Sequence, residues 1–177
     1  ANRAVRAIVH LPSRWCRWCT GRRPGGVGGV SLALACDIVL ASEKAFFLLA
    51  FTKIGLMPDG GASALVAASI GRARAMKMAL LAERISAADA LDFGLVSEVY
   101  PADELEAGVA AVLDKLVSGP AIALRKTKQA INAATLTELE PAIGRESDGQ
   151  LVLLGSKDFR EGTRAFQEHR SPTFTDD

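Results

Sequence analysis

Long apolar runs are missing from this sequence. No stretch reaches the roughly 18 residues that a membrane-spanning helix needs, and residues 1–12 lack the apolar core of a secretory signal. A cytoplasmic protein without a membrane partner is the expectation. Charge of one sign is missing too. The 21 Lys and Arg and 20 Asp and Glu leave a net charge of +1, spread along the chain, which argues against nucleic acid or an anionic surface as a partner. Cysteine is scarce and odd in number at three, a poor basis for a secreted disulfide framework. Cys16 and Cys19 form a CxxC pair, but Cys36 stands alone and His10 and His169 sit near opposite ends. A zinc or redox centre would need a second ligand pair or a thioredoxin-like frame, so no metal is expected. No internal repeat or low-complexity linker appears. With 177 residues, 49% of them hydrophobic, the chain is long enough for one domain with a sizeable core.

Residues 1–11 read as the end of an amphipathic helix, with Val5, Ile8 and Val9 near helical spacing. Residues 12–25 hold both tryptophans, two cysteines and four arginines with no period of two or 3.6, and take no assignment. A glycine-rich turn then opens a small-residue helix at 29–36. A buried strand at 38–41 and an apolar segment at 45–51 follow. Gly60 and Gly61 open a helix that Gly71 stops, and another starts beyond it. Ser86 and Asp89 have capping-box spacing for a helix to Phe93, and residues 94–101 read as a strand closed by Pro101. Asp103 caps a predicted helix over 104–118, and Pro120 occupies the first position of one ending near Ala134. Two more helices fit 136–154 and 158–168. The first of these carries Leu139, Ile143, Leu151 and Leu154 as a stripe for the core or for a subunit contact.

Two features could carry chemistry. The turn Gly25, Gly26, Val27, Gly28, Gly29 points unpaired N–H groups out of a helix start, where anions or developing oxyanions bind. It lacks the lysine of a P-loop and does not fit GxGxxG, so a plain tight turn is the competing reading. The second feature is Asp59 in Met57–Pro58–Asp59–Gly60–Gly61. Before a helix, a carboxylate is most often an N-cap. In an apolar pocket lined by Phe46, Phe47, Phe51 and Leu56 it could instead serve as a general base.

The segments GGVGGVSLALACDIVLASEKAFF, FTKIGLMPDGGAS and GRARAMKMALLAERISAADALDFGLVSEVYP, with the tail DFREGTRAFQEHRSPTF, closely resemble the crotonase (enoyl-CoA hydratase/isomerase) family over residues 26–174. The resemblance implies an α/β fold: an incomplete crotonase-like ββα spiral core over 1–100 and a helical C-terminal trimerisation region over 101–177. It also implies an acyl-CoA substrate, no cofactor beyond the coenzyme A of that substrate, and a homotrimer or hexamer. The family polarises the thioester carbonyl with two backbone N–H donors, one of which costs roughly 3 to 4 kcal/mol to lose. Gly28, or Gly29 beside it, matches the glycine of the second donor. The first would come from an upstream segment outside this chain. Gly29, Phe51 and Leu56 are the candidate substrate-binding residues. Family hydratases hold water with two glutamates, whose positions align here with Ser31 and Phe51. Asp59 matches the acidic residue of the isomerase-like branches, which shuttles a proton between carbons of the acyl chain. Double-bond isomerisation is therefore expected over hydration, and a catalytically inactive remnant or partner subunit is the alternative.

Relatives of that family carry a valine-rich strand and a GPAAG-like loop where this chain has RWCRWCTGRRPG. Trp is encoded only by TGG and Cys codons begin TG, so each Trp-Cys pair contains GTG, valine, two bases on. Carried on from Arg14 with GC-rich codons, that register gives VVPVVHGPAAG. Two compensating frameshifts over 13–25 would explain it, and the alternative is a divergent insert with Arg14, Arg17, Arg22 and Arg23 in place of a buried strand. Buried charge without partners costs several kcal/mol. We therefore expect mass spectrometry of the native protein to yield a valine-rich peptide here. Recovery of both Trp-Cys pairs would rule out a sequencing error.

Overall fold

The computed structural model describes residues 1–11, 16–19 and 29–175. Three parallel strands lie side by side in the order β1 (Cys16–Cys19), β2 (Ile38–Ser42), β5 (Glu98–Tyr100). Cys16 pairs with Ile38 and Cys19 with Ala41, while Leu40 pairs with Glu98 and Ser42 with Tyr100. β2 is the middle strand, and its residues 39–42 are all buried, the continuous burial of a parallel strand covered on both faces. Side chains alternate across it. Val39 and Ala41 join the main core with Phe47, Phe51, Val66, Met78 and Leu95, whereas Leu40 meets Leu105 and Val109 on the opposite face. A strand thus forms at 16–19, where the resemblance places a valine-rich strand.

Around this sheet stand α1 (Asn2–His10), α2 (Gly29–Leu34), α3 (Ala62–Leu81), α4 (Ala87–Phe93), α5 (Leu105–Ser118), α6 (Ala121–Thr135), α7 (Leu139–Leu154) and α8 (Lys157–Gln167). Val5 and Val9 of α1 are buried and pack with Leu65 of α3 and with Leu139 and Ile143 of α7. Gly71 breaks α3 as expected: at φ 75° and ψ 162° it leaves the helical region. Ser86 caps α4, its hydroxyl accepting from the Asp89 N–H at 3.1 Å and donating to the Asp89 carboxylate at 2.6 Å.

Four expectations change. The apolar segment 45–51 divides between β3 (Phe46–Phe47), paired antiparallel with β4 (Ile85–Ser86), and a 3-10 helix, Phe51–Ile54. The strand expected over 94–101 shortens to Glu98–Tyr100, because Gly94 takes φ 84° to close α4. Asp103 caps nothing; Glu104 holds the N-cap position of α5 without a side-chain bond. The stripe of α7 also divides. Leu139 and Ile143 are buried, but Leu151 is 73% exposed, so the helix faces the core with its first half only.

Polar contacts fix the outer helices. The Lys128 ammonium of α6 lies 3.0 Å from the Asp37 carboxylate and donates to the Ile8 carbonyl at 3.2 Å. At the C-terminus, Arg170 donates to Glu161 and the Thr173 N–H does so at 3.0 Å. The Arg170 bond, seconded by that of Thr173, holds the Glu161 carboxyl down to about 2.

Helix α8 crosses the 3-10 helix with backbone nearly touching backbone. A Cβ on Gly162 would stand 2.6 Å from the Ile54 Cα, and one on Gly55 would stand 2.8 Å from the Asp158 carbonyl carbon. Gly144 in α7 faces open space. Opposite signs follow for one chemical change. Gly144→Ala should stabilise by about 0.5–1 kcal/mol through helix propensity. Gly162→Ala should destabilise by about 1–3 kcal/mol, because overpacking at rigid backbone outweighs the same propensity gain. Urea denaturation of the two variants checks both, and equal midpoints would contradict the crossing.

Candidate active site

Two successive glycines build the centre of the site. Gly60 (φ 69°) and Gly61 (φ 77°) both adopt the left-handed conformation that only glycine takes at little cost. Each also sits against a neighbour. A Cβ on Gly60 would lie 3.1 Å from the Ser31 Cβ, and one on Gly61 would lie 2.5 Å from a Leu139 methyl. The turn is therefore pressed between α2 and α7, and the half-buried Asp59 immediately precedes it.

Side chains from both helices grip the backbone of this turn. The Ser31 hydroxyl, fully buried, donates to the Asp59 carbonyl at 2.7 Å. The Gln150 amide of α7 donates to the Met57 carbonyl at 2.9 Å. One turn earlier on α7, the Glu146 carboxylate accepts from the Gly61 N–H at 2.6 Å, the Ser63 N–H at 2.8 Å and the Ser63 hydroxyl at 2.6 Å. Glu146 is 1% exposed. A negative charge is well placed there, facing the unpaired N–H groups and positive end of a helix.

Asp59 does not cap α3 with its side chain: Gly61 is the N-cap residue, and the carboxylate at the helix start comes from Glu146, 85 positions away from Gly61. Among the described residues no hydrogen bond or ion pair engages the Asp59 carboxylate, while its carbonyl accepts from Ser31 and from the Ala62 N–H at 3.3 Å. The chain at Asp59 is held and its acid group is uncommitted.

The other candidates fall as follows. Gly29 is the first residue of α2, whose leading N–H groups have no intrahelical acceptor. Gly28 lies outside the described residues, as does most of the 13–25 stretch. Phe51 is 1% exposed within the main core, with Leu56 half-buried against it. Phe47 belongs to the same core, and Phe46 lies under the Arg84 guanidinium, 3.3 Å from its ring centre. The Cys36 thiol donates to the Leu32 carbonyl at 3.4 Å. Glu146 and Gln150 went unnoticed in the sequence. The available signal was spacing, since 139, 143, 146 and 150 continue one face of a helix and put a carboxylate on its buried side.

Residues 20–177 match the family model described as enoyl-CoA hydratase/isomerase. The chain is 43% identical over 147 residues to a probable enoyl-CoA hydratase of Rhodobacter capsulatus, covering 83% of this chain and 57% of that protein. It is 38% identical over 174 residues to 1,2-epoxyphenylacetyl-CoA isomerase of Escherichia coli, covering 98% and 66%. The chain thus spans less than two thirds of the length of these curated relatives. Its structure superposes with a TM-score of 0.93 on the crystal structure of an enoyl-CoA hydratase from Mycobacterium avium subsp. paratuberculosis, at 65% identity, over 99% of this chain and 70% of the other.

The Ser31 contact is open to a direct check. Ser31→Ala removes a buried donor from a carbonyl that retains only the longer bond from Ala62. The loss should be about 1 kcal/mol, the lower end for a buried unsatisfied acceptor. An unshifted denaturation midpoint would show that the hydroxyl does not hold Asp59.

Proposed function

From a chain that belongs to the enoyl-CoA hydratase/isomerase family, we propose a protein that shifts a double bond within an acyl-CoA thioester, with Asp59 moving the proton. The observation that carries this reading is the uncommitted carboxylate of Asp59 on a backbone held from two sides. Hydration by the paired-carboxylate route needs two acids beside the water. The positions at which the resemblance places them hold a buried serine, hydrogen-bonded to the Asp59 carbonyl, and a phenylalanine sealed in the core. Neither can take a proton from water.

A double-bond shift needs only one base. In a 3-enoyl thioester the Asp59 carboxylate would take the proton from C2. The electron pair spreads through the carbonyl and the C3–C4 double bond, and the same proton returns at C4 to leave the 2-enoyl isomer. Atoms and electrons balance without water or a redox partner. A ring-enoyl substrate would follow the same course. The N–H of Gly29 at the start of α2 would stabilise the charge that develops on the thioester oxygen, a role the resemblance also offers to Gly28, outside the described residues.

The proposal extends to assembly as a homotrimer or hexamer. Leu151 and Val152 of α7, Ile122 of α6 and Phe166 of α8 are each more than two-thirds exposed, large apolar side chains on the C-terminal helices that a second copy would cover.

The test is Asp59→Asn, assayed for interconversion of 3-enoyl and 2-enoyl thioesters and for hydration of the 2-enoyl form. Isomerisation should fall by roughly 10²- to 10⁴-fold, the usual contribution of a positioned acid–base group. Turnover unchanged by the substitution would sink the assignment. Efficient hydration by the unaltered protein would return the chain to the hydratase branch.

A further inference from the structure

The cap on α3 has an unusual origin. The residue two before the N-cap Gly61 is itself an aspartate, able in principle to accept from the Gly61 N–H two residues on, as Asp side chains do in Asx-turns. Yet the Gly61 and Ser63 N–H groups are both taken by Glu146, reaching in from α7. The Gly61 N–H can donate to one carboxylate or the other. Glu146 holds its place firmly. It is buried, and it makes three hydrogen bonds of 2.6–2.8 Å. Its neighbour Gln150, one turn on, anchors Met57 on the other side of Pro58 and Asp59.

We propose that Glu146 is the positioning residue for Asp59: by occupying the start of α3 it denies that cap to Asp59 and leaves the Asp59 carboxylate available for proton transfer. The inference rests on Asp59 being the proton-carrying group. Its physical core, competition between two carboxylates for one set of N–H donors, stands on the hydrogen bonds alone. Glu146 touches no reacting atom; it acts through the backbone of residues 59–63. With Glu146 replaced by a neutral amide, the Gly61 and Ser63 donors lose an anionic acceptor, and Asp59 is the nearest carboxylate in the chain to take its place. Hydrogen bonds from backbone N–H favour the charged form of a carboxylate. Capping would therefore move Asp59 titration to lower pH and make it a weaker base.

The variants are Glu146→Gln and Glu146→Asp. The direct measurement is the carboxyl-carbon NMR titration of Asp59 in each folded variant and in the unaltered protein, which needs no turnover. The proposal expects the Asp59 midpoint to move to lower pH in Glu146→Gln and to return towards its original place in Glu146→Asp, which restores the anion. An Asp59 midpoint that does not move in folded Glu146→Gln overturns it, as does a move to higher pH. If Glu146→Gln does not fold, Glu146→Asp and a Gln150→Ala control decide: loosening Met57 alone should leave the Asp59 titration in place.

Kinetics provide the second reading. Glu146→Gln should lower kcat for isomerisation by roughly 10- to 100-fold, as misplacement of a reacting group does, with KM within about twofold. In an Asp59→Asn background it should cost nothing further. Losses that multiply in the double variant, or that appear in KM alone, would mark Glu146 as a structural residue and refute the proposal. An Asp59→Asn variant with full turnover would instead remove the isomerase reading, and the NMR titration would still decide whether the two carboxylates compete.

Discussion

A helix cannot begin inside a protein unless something accepts from its first N–H groups, and in this chain that acceptor is the carboxylate of Glu146. Much else follows from its position. Helix α3 supplies Val66 and Ile70 to the main core and Leu65 to the core beneath α1, so the point where it starts sets both interfaces. The preceding turn then has no freedom left. It must pass between Ser31 and Leu139, and two left-handed glycines are what that passage admits. Hydrogen bonds to a charged acceptor are worth about 1.5–3 kcal/mol each against a neutral average near 1, so few contacts in the structure rival this one. Removing the carboxylate would leave two helix-start donors without an anion.

The same economy of space governs the other end of the chain. Helix α8 lies so close to the 3-10 helix that glycine is the only residue tolerated on either side of the crossing. Gly55 closes the 3-10 helix in a left-handed conformation and also makes room for α8. The loop that leads to Asp59 is thus bounded by α8 at its beginning and by α7 at its end. Two C-terminal helices, distant in sequence from everything they hold, define where the acid group stands.

Periodicity made most of the elements legible in the sequence. The runs that became β2, α3 with its break at Gly71, α4 with its Ser86 cap and the four C-terminal helices follow from spacing and from glycine and proline punctuation. The parallel pairing of β1 with β2 was not legible, because CRWC shows no strand pattern of its own and its pairing partners lie more than twenty positions away. At Asp59 the sequence offered two readings, cap or base. The cap is taken by a residue 87 positions later in the chain, Glu146, reached through tertiary packing that no local pattern encodes. The split of the α7 stripe has a similar cause. A helix presents the same apolar period whether it meets its own chain or another surface, and Leu139 and Leu151 differ only in what lies opposite.

Distance along the chain also imposes an order in time. Glu146 is 85 positions from the N–H group it accepts, and at the roughly 5–20 residues per second of synthesis, some 4–17 s pass between the two leaving the ribosome. Through that interval α3 can be present, with its apolar faces formed, while the turn before it has no anchor on the α7 side. A nascent chain therefore holds Asp59 and its turn long before it holds the carboxylate that fixes the helix start behind them. The turn is complete only once the late helices have closed over the early ones, so that a prematurely ended chain carries Asp59 without the α7 contacts that hold its backbone.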